Sequence, residues 1–185
     1  MKAKVNKVTL QLTQGDLLAL STAAIVMVTD PNINVSEKLA AKAGTLVQEQ
    51  AAQIGWSDVG TAVITDAGQL LGVEKIIHAV APRWGEGSER GKLANTTWAC
   101  LALAEENALK SLALPAISTG TFGYPLENCA TTMLAKIIDY TFEDLKNLRT
   151  IILCLEDDAA YEIFRLELLR QLQDLKETGE GQIHV

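Results

Sequence analysis

Between Leu112 and Pro125 the chain reads Leu-Ala-Leu-Pro-Ala-Ile-Ser-Thr-Gly-Thr-Phe-Gly-Tyr-Pro, an apolar run that opens into hydroxyls and two glycines before a helical pattern begins at Leu126. Those residue types suit an anion. Backbone N–H groups converge on a phosphate only where bulky side chains are absent, and Gly120 and Gly123 allow close approach and positive φ. Ser118 and Thr119 add hydroxyl donors, and a helix starting near Leu126 presents free N–H groups and a positive dipole end to the same place. A tight strand-to-helix turn that needs glycine only for its geometry is the alternative. Asp16, after Gln14-Gly15, reads locally as the cap of a short turn over Leu17-Leu18-Ala19-Leu20. Asp30, followed by Asn32 and Asn34, reads locally as an ordinary Asp-Pro turn starter.

The remaining reactive side chains point to structure rather than chemistry. His78 lies inside the apolar run Ile76-Ile77-His78-Ala79-Val80 and reads as a hydrogen-bonded core residue, and His184 sits in the tail. Cys100, Cys129 and Cys154 stand far apart in apolar segments, without the spacing of a metal site or a disulfide framework. Cys129 follows the glycine loop, where a helix dipole lowers a thiol pKa, but no companion base accompanies it, and a buried thiol is expected. Neither a metal nor a cofactor is implied.

The elements that hold these residues alternate in type. Short β-rich runs at Lys7–Leu12, Ala24–Val28, Gly60–Asp66, Lys75–Ala81, Ser111–Pro115 and Thr150–Leu155 are separated by helical patterns, the signature of an α/β sheet covered on both faces. Ala24–Val28 and Ile151–Leu155 are continuous hydrophobes and are expected at the centre of the sheet. Helices are expected from a Ser36 cap through Ala43, continuing past Gly44 to Gln53, and over Leu93–Asn107, Leu126–Tyr140 and Asp158–Lys176. The Arg83–Lys92 segment is polar and glycine-rich and reads as a mobile loop at the rim. Residues 1–177 are expected to form one domain, and 178–185 a flexible tail.

Composition narrows the partners. The chain has 185 residues, 48% hydrophobic and 21% charged, enough for one full core, and its formal net charge of −7 argues against a nucleic-acid backbone as partner. It begins without a signal-peptide core and has no membrane-spanning apolar stretch, so a cytoplasmic location is expected.

Gln14-Gly15-Asp16-Leu17, Gly60-Thr61-Ala62-Val63-Ile64-Thr65, the stretch from Lys75 to Trp84 and the Pro115–Pro125 loop together resemble macro domains, the ADP-ribose-binding modules of the Appr-1″-p processing type. The resemblance runs from about Val8 to Leu169. It implies a three-layer α/β/α sandwich around a mixed, mostly parallel six-stranded sheet, with ADP-ribose in a cleft at the strand C-terminal ends, where ligands of open α/β sheets sit. It further implies that Asp16 accepts a hydrogen bond from the adenine amino group while the Leu17 amide reads a ring nitrogen. The Gly120, Thr121 and Gly123 amides would face the diphosphate, within a ligand-binding set running from Ser118 and Thr119 to Tyr124, and Phe122 would lie against the distal ribose.

The first loop departs from that family. Where typical members carry Asn-Ala-Ala-Asn and then a glycine run, this chain has Met27-Val28-Thr29-Asp30-Pro31-Asn32-Ile33-Asn34-Val35, shorter by several residues and without glycine. Asp30 takes the place of the second asparagine, which in hydrolytic members helps orient the attacking water. Either Asp30 with Asn32 or Asn34 builds a different ribose-binding and water-activating set, its carboxylate a general base if burial raises its pKa, or the first loop has decayed and chemistry is lost. The aromatic that many members stack on adenine is also missing, since Leu155 is followed by Glu156-Asp157-Asp158. Binding of ADP-ribose or a related nucleotide is therefore the leading expectation, with an ADP-ribosylated protein as a further partner. The alternatives are a hydrolase of ADP-ribosyl esters, O-acetyl-ADP-ribose or ADP-ribose 1″-phosphate that uses Asp30, and a fold kept for protein contacts.

Overall fold

A computed structural model describes all residues, 1–185. The strands are β1 (Lys2–Val5), β2 (Val8–Gln14), β3 (Ala24–Thr29), β4 (Thr61–Asp66), β5 (Lys75–Val80), β6 (Ser111–Leu114), β7 (Thr150–Leu155) and β8 (Ile183–His184). The helices are α1 (Glu37–Ala43), α2 (Thr45–Ile54), α3 (Glu89–Glu106), α4 (Leu126–Tyr140) and α5 (Asp158–Thr178). One sheet runs in the order β4-β5-β3-β6-β7-β2-β1-β8. Its inner strands β5, β3, β6, β7 and β2 are mutually parallel, while β4, β1 and β8 pair antiparallel to their neighbours.

Alternation along the strands feeds two cores. Val26 and Ile77 point into the larger one, with Leu101, Met133 and Phe164 from α3, α4 and α5. Ile25 and Ile76, one residue earlier on the same strands, point to the opposite face, where Leu39 and Val47 of α1 and α2 cover them. Both faces of the sheet are therefore buried, as the uninterrupted apolar runs require. On α5 the inward stripe is Ala160, Phe164, Leu168 and Leu172, at the four-residue spacing of one helix face. Tyr161 is only half buried, and its hydroxyl accepts a hydrogen bond from the Met1 amino group at 2.9 Å.

The sheet has eight strands where six were expected. The two additions lie at one edge. β1 alternates exposed and buried residues, with Lys2 and Lys4 outward and Ala3 and Val5 inward, a half-buried pattern too short to stand out beside the longer runs. The tail, expected to fray, turns at Gly179 and lays Ile183–His184 against Val5 and Lys4. The reason is β1 itself, whose outer edge offers unpaired backbone groups that any nearby segment can satisfy. Two helix limits also differ. Gly44 adopts φ +83, a conformation closed to a continuing helix, so α1 and α2 are separate. α3 starts at Glu89, inside the segment expected as a loop, with the Glu89 carboxylate accepting from the Gly85 amide at 3.0 Å. No helix is long and apolar enough to cross a membrane.

His78 is buried in β5, with its Nε2 2.9 Å from the Thr65 hydroxyl of β4. Burial lowers its pKa to about 4. An unfolded chain protonates the same ring near pH 6.5, so between these values the unfolded state holds the extra proton and stability falls on acidification, by up to about 1.4 kcal/mol per pH unit. Urea midpoints followed from pH 7 down to 4.5 are expected to drop over this window, and to drop less steeply in His78→Gln.

Candidate functional site

Because β2, β3, β6 and β7 are parallel, the segments that follow them leave the sheet at one rim. These are Gly15–Leu20, Asp30–Ser36, Pro115–Pro125 and Glu156–Asp157. Met27 and Val28, at the end of β3, are only half buried and lie on opposite faces of the sheet.

The Pro115–Pro125 loop is pinned from below. Ile117, Tyr124 and Cys129 are buried under it, and the Cys129 thiol donates to the Ile117 carbonyl at 3.2 Å. Burial pushes the Cys129 and Cys100 thiols far above their ordinary range, so neither is a nucleophile. The loop closes on itself where the Tyr124 amide donates to Ser118 O at 2.9 Å and the Gly123 amide to Gly120 O at 3.0 Å. That leaves the Gly120, Thr121 and Phe122 amides without an acceptor in the protein. The free set thus differs from the expected one at one position, with Phe122 in place of Gly123, which is spent on closure. Gly123 takes φ +75, but the other left-handed residue of the loop is Ser118, at φ +67, not Gly120. The hydroxyls also differ from the expected pair of donors. Thr119 Oγ1 donates to Ala116 O at 2.8 Å, and Ser118 Oγ is buried without a partner.

Phe122 is half buried, and two residues of the segment after β5 hold it. Trp84 N–H donates to Phe122 O at 2.9 Å, and the Arg83 guanidinium lies over the Phe122 ring, 4.1 Å from its centroid. Trp84 also meets Tyr124 edge-on at 5.0 Å, and together they wall a hollow of about 450 Å³ that extends over Glu127 and Asn128 at the start of α4. In the sequence, Arg83 belongs to the Lys75–Trp84 stretch that carries the resemblance and opens a polar segment, but nothing there marks its stacking on Phe122.

Asp16 caps the short turn Leu17–Ala19, with its Oδ1 accepting from Leu18 N at 3.0 Å. The local reading of this residue therefore holds, but capping occupies one oxygen only. Lys38 of α1 approaches the same carboxylate, Nζ to Oδ1 3.7 Å. The Leu18 amide first, with Lys38 and Lys42 behind it, holds the Asp16 carboxyl below its ordinary pKa. The neighbouring Leu17 amide has no acceptor in the protein. An acceptor and a free donor thus stand side by side at the rim. Behind them Asp157 is committed to α5, accepting from Ala160 N at 2.8 Å.

Asp30 organises the first loop. Its Oδ1 accepts from Asn32 N at 2.9 Å and Asn34 N at 3.5 Å, its Oδ2 accepts from Asn34 Nδ2 at 2.8 Å, and its carbonyl accepts from Ile33 N at 2.9 Å. Thr29 Oγ1 ties the far end by donating to Asn34 O at 3.1 Å. Within this turn Ile33 is 2% exposed and left-handed at φ +57, which a β-branched residue adopts only when its surroundings impose it. The Asn32 side chain makes no hydrogen bond and is exposed.

Comparison with known proteins places this geometry. The family model described as Macro domain matches residues 25–133. A Salmonella gallinarum protein named O-acetyl-ADP-ribose deacetylase is 33% identical over 167 residues, covering 85% of this chain and 93% of its own. A Sulfurisphaera tokodaii protein of uncharacterized function is 37% identical over 163 residues, 83% of this chain and 87% of its own. Among solved structures, the Oceanobacillus iheyensis macrodomain with ADP superposes with a TM-score of 0.88 at 25% identity, covering 94% of this chain and 97% of that one. A mutant of that macrodomain with ADPR gives 0.85 at 26% identity, with 94% and 98% covered.

Removing the Asp30 carboxylate strands the Asn32 and Asn34 amides and loosens the strained Ile33 turn. Asp30→Ala is expected to lower stability in urea by about 1–2 kcal/mol, and Asp30→Asn, which keeps one acceptor oxygen, by less.

Proposed function

Since the chain belongs to the macro domain family, we propose that it binds ADP-ribose or a related ADP-ribosyl nucleotide across the strand C-terminal rim. The observation that carries this reading is the pairing of two unsatisfied sets at that rim. The Gly120, Thr121 and Phe122 amides have no acceptor, and the Asp16 carboxylate stands beside the free Leu17 amide. The first set suits a diphosphate, because main-chain donors recognise phosphate without a cation. The second is the acceptor–donor pair that complements the amino group and ring nitrogen of adenine. Phe122 then lies at the distal ribose, and Ser118, Thr119, Gly123 and Tyr124 shape the loop rather than donate to the ligand. The solved neighbours that hold ADP and ADPR support the ligand class.

The relatives named O-acetyl-ADP-ribose deacetylase support a second reading, hydrolysis of an ADP-ribosyl ester. In it Asp30 orients the attacking water and Asn32, whose side chain is uncommitted, holds a ribose hydroxyl. Against it stands the engagement of both Asp30 oxygens within their own turn. Binding without turnover is the reading we favour.

Calorimetric titration with ADP-ribose is expected to give one site per chain, and absence of both heat and a thermal shift at millimolar ligand overturns the proposal. A Cβ at Gly120 meets no atom within 4 Å, so Gly120→Val folds and crowds the amides; it is expected to weaken binding at least about tenfold, as is Asp16→Ala. Incubation with O-acetyl-ADP-ribose separates the second reading: steady release of ADP-ribose that stops in Asp30→Ala establishes turnover.

A further inference from the structure

We propose that Lys38 makes the base end of this cleft permissive, so that it accepts 6-oxopurine nucleoside diphosphates alongside adenosine ones. The inference rests on the reading of Asp16 as the residue that meets the base edge. Adenine presents there an amino donor and an unprotonated ring nitrogen, which match the Asp16 carboxylate and the free Leu17 amide. Hypoxanthine reverses both groups, presenting a carbonyl acceptor and a ring N–H donor. In a site built from Asp16 and Leu17 alone, that base sets acceptor against acceptor and donor against donor, a mismatch that costs on the order of 100-fold or more.

This chain places a second donor at the same carboxylate. Lys38 comes from a different element, α1, with Nζ 3.7 Å from Asp16 Oδ1, and both side chains are well exposed. Lys38 and Asp16 together form a donor–acceptor pair, the complement of the 6-oxopurine edge. Asp16 therefore has a donor partner for either base, Leu17 N–H for one register and Lys38 for the other. A long, flexible ammonium follows the carbonyl without rearranging the backbone.

The surroundings permit the shift in register that this requires. No aromatic wall holds the base in one place: Leu155 is followed by Glu156 and by Asp157, which caps α5, while the Tyr161 hydroxyl is bonded to the Met1 amino group. A base without a stacking partner is positioned by its edge contacts, and here those contacts offer two solutions. As a structural ion pair the contact contributes little, since both side chains are exposed and solvent screens them, so Lys38 variants keep the fold.

The test is calorimetric titration of the full chain with ADP and with IDP, read as the ratio of their affinities. The wild-type chain is expected to bind IDP within about tenfold of ADP. Lys38→Met is expected to shift the ratio at least tenfold toward ADP, and Lys38→Arg, which restores a donor, to shift it less. Binding of ADP with IDP weaker by 100-fold or more, or a ratio unmoved in Lys38→Met, overturns the inference while leaving the cleft a nucleotide site. Binding of neither nucleotide overturns both.

Discussion

The hydrogen bond from the Tyr124 amide to Ser118 O decides what the rim can do, because it folds the loop after β6 into a closed turn and turns three consecutive amides away from their own chain. Closing the turn has a conformational cost, visible in Ser118 at φ +67. Burial offsets it. Ile117, Ser118 and Tyr124 are all nearly inaccessible, and α4 begins directly beyond Pro125, so the loop is clamped between a central strand and a helix. A loop fixed in this way presents its donors already oriented, and a ligand then loses little freedom in the protein on binding.

Main-chain recognition also resolves an apparent conflict of charge. A chain of net charge −7 is a poor host for a diphosphate if charge alone decides. In the proposed site, amide dipoles at Gly120, Thr121 and Phe122 act at hydrogen-bond range, where geometry outweighs the distant field. Arg83, a cation set against this loop, is stacked on the Phe122 ring. Its guanidinium steadies the aromatic rather than replacing the amides.

What was legible in the sequence follows from the range over which each signal acts. Six strands and the three helices over Leu93–Asn107, Leu126–Tyr140 and Asp158–Lys176 were marked by apolar periods and caps within a few residues, and the structure contains all of them. The cap at Asp16 was equally local. β1, β8 and the break at Gly44 were not, because edge pairing between Lys4 and His184 joins residues at opposite ends of the chain, and Gly44 alone does not say whether a helix bends or stops. The site divides the same way. Glycines and hydroxyls announced the Ser118–Tyr124 loop, but which amides stay free depends on closure between Gly123 and Gly120. The approach of Lys38 to Asp16 depends on how α1 packs on the sheet, which no spacing along the chain encodes.

The shortened first loop turns this division into a physical contrast between the two sides of the cleft. A glycine-rich loop has many accessible conformations and can close over a ligand, at an entropic cost when it does so. Asp30 instead ties Asn32, Ile33 and Asn34 into one hydrogen-bonded turn, and the buried Ile33 side chain anchors it from below. The Asn32, Ile33 and Asn34 amides are therefore satisfied within the turn, and in the proposed binding mode the diphosphate meets the free amides of the second loop. In that proposal the cleft grips its ligand from one side and leaves the other open. Such an architecture relies on the fixed amides of Gly120–Phe122 and on edge contacts at Asp16, and has no need of a closing lid.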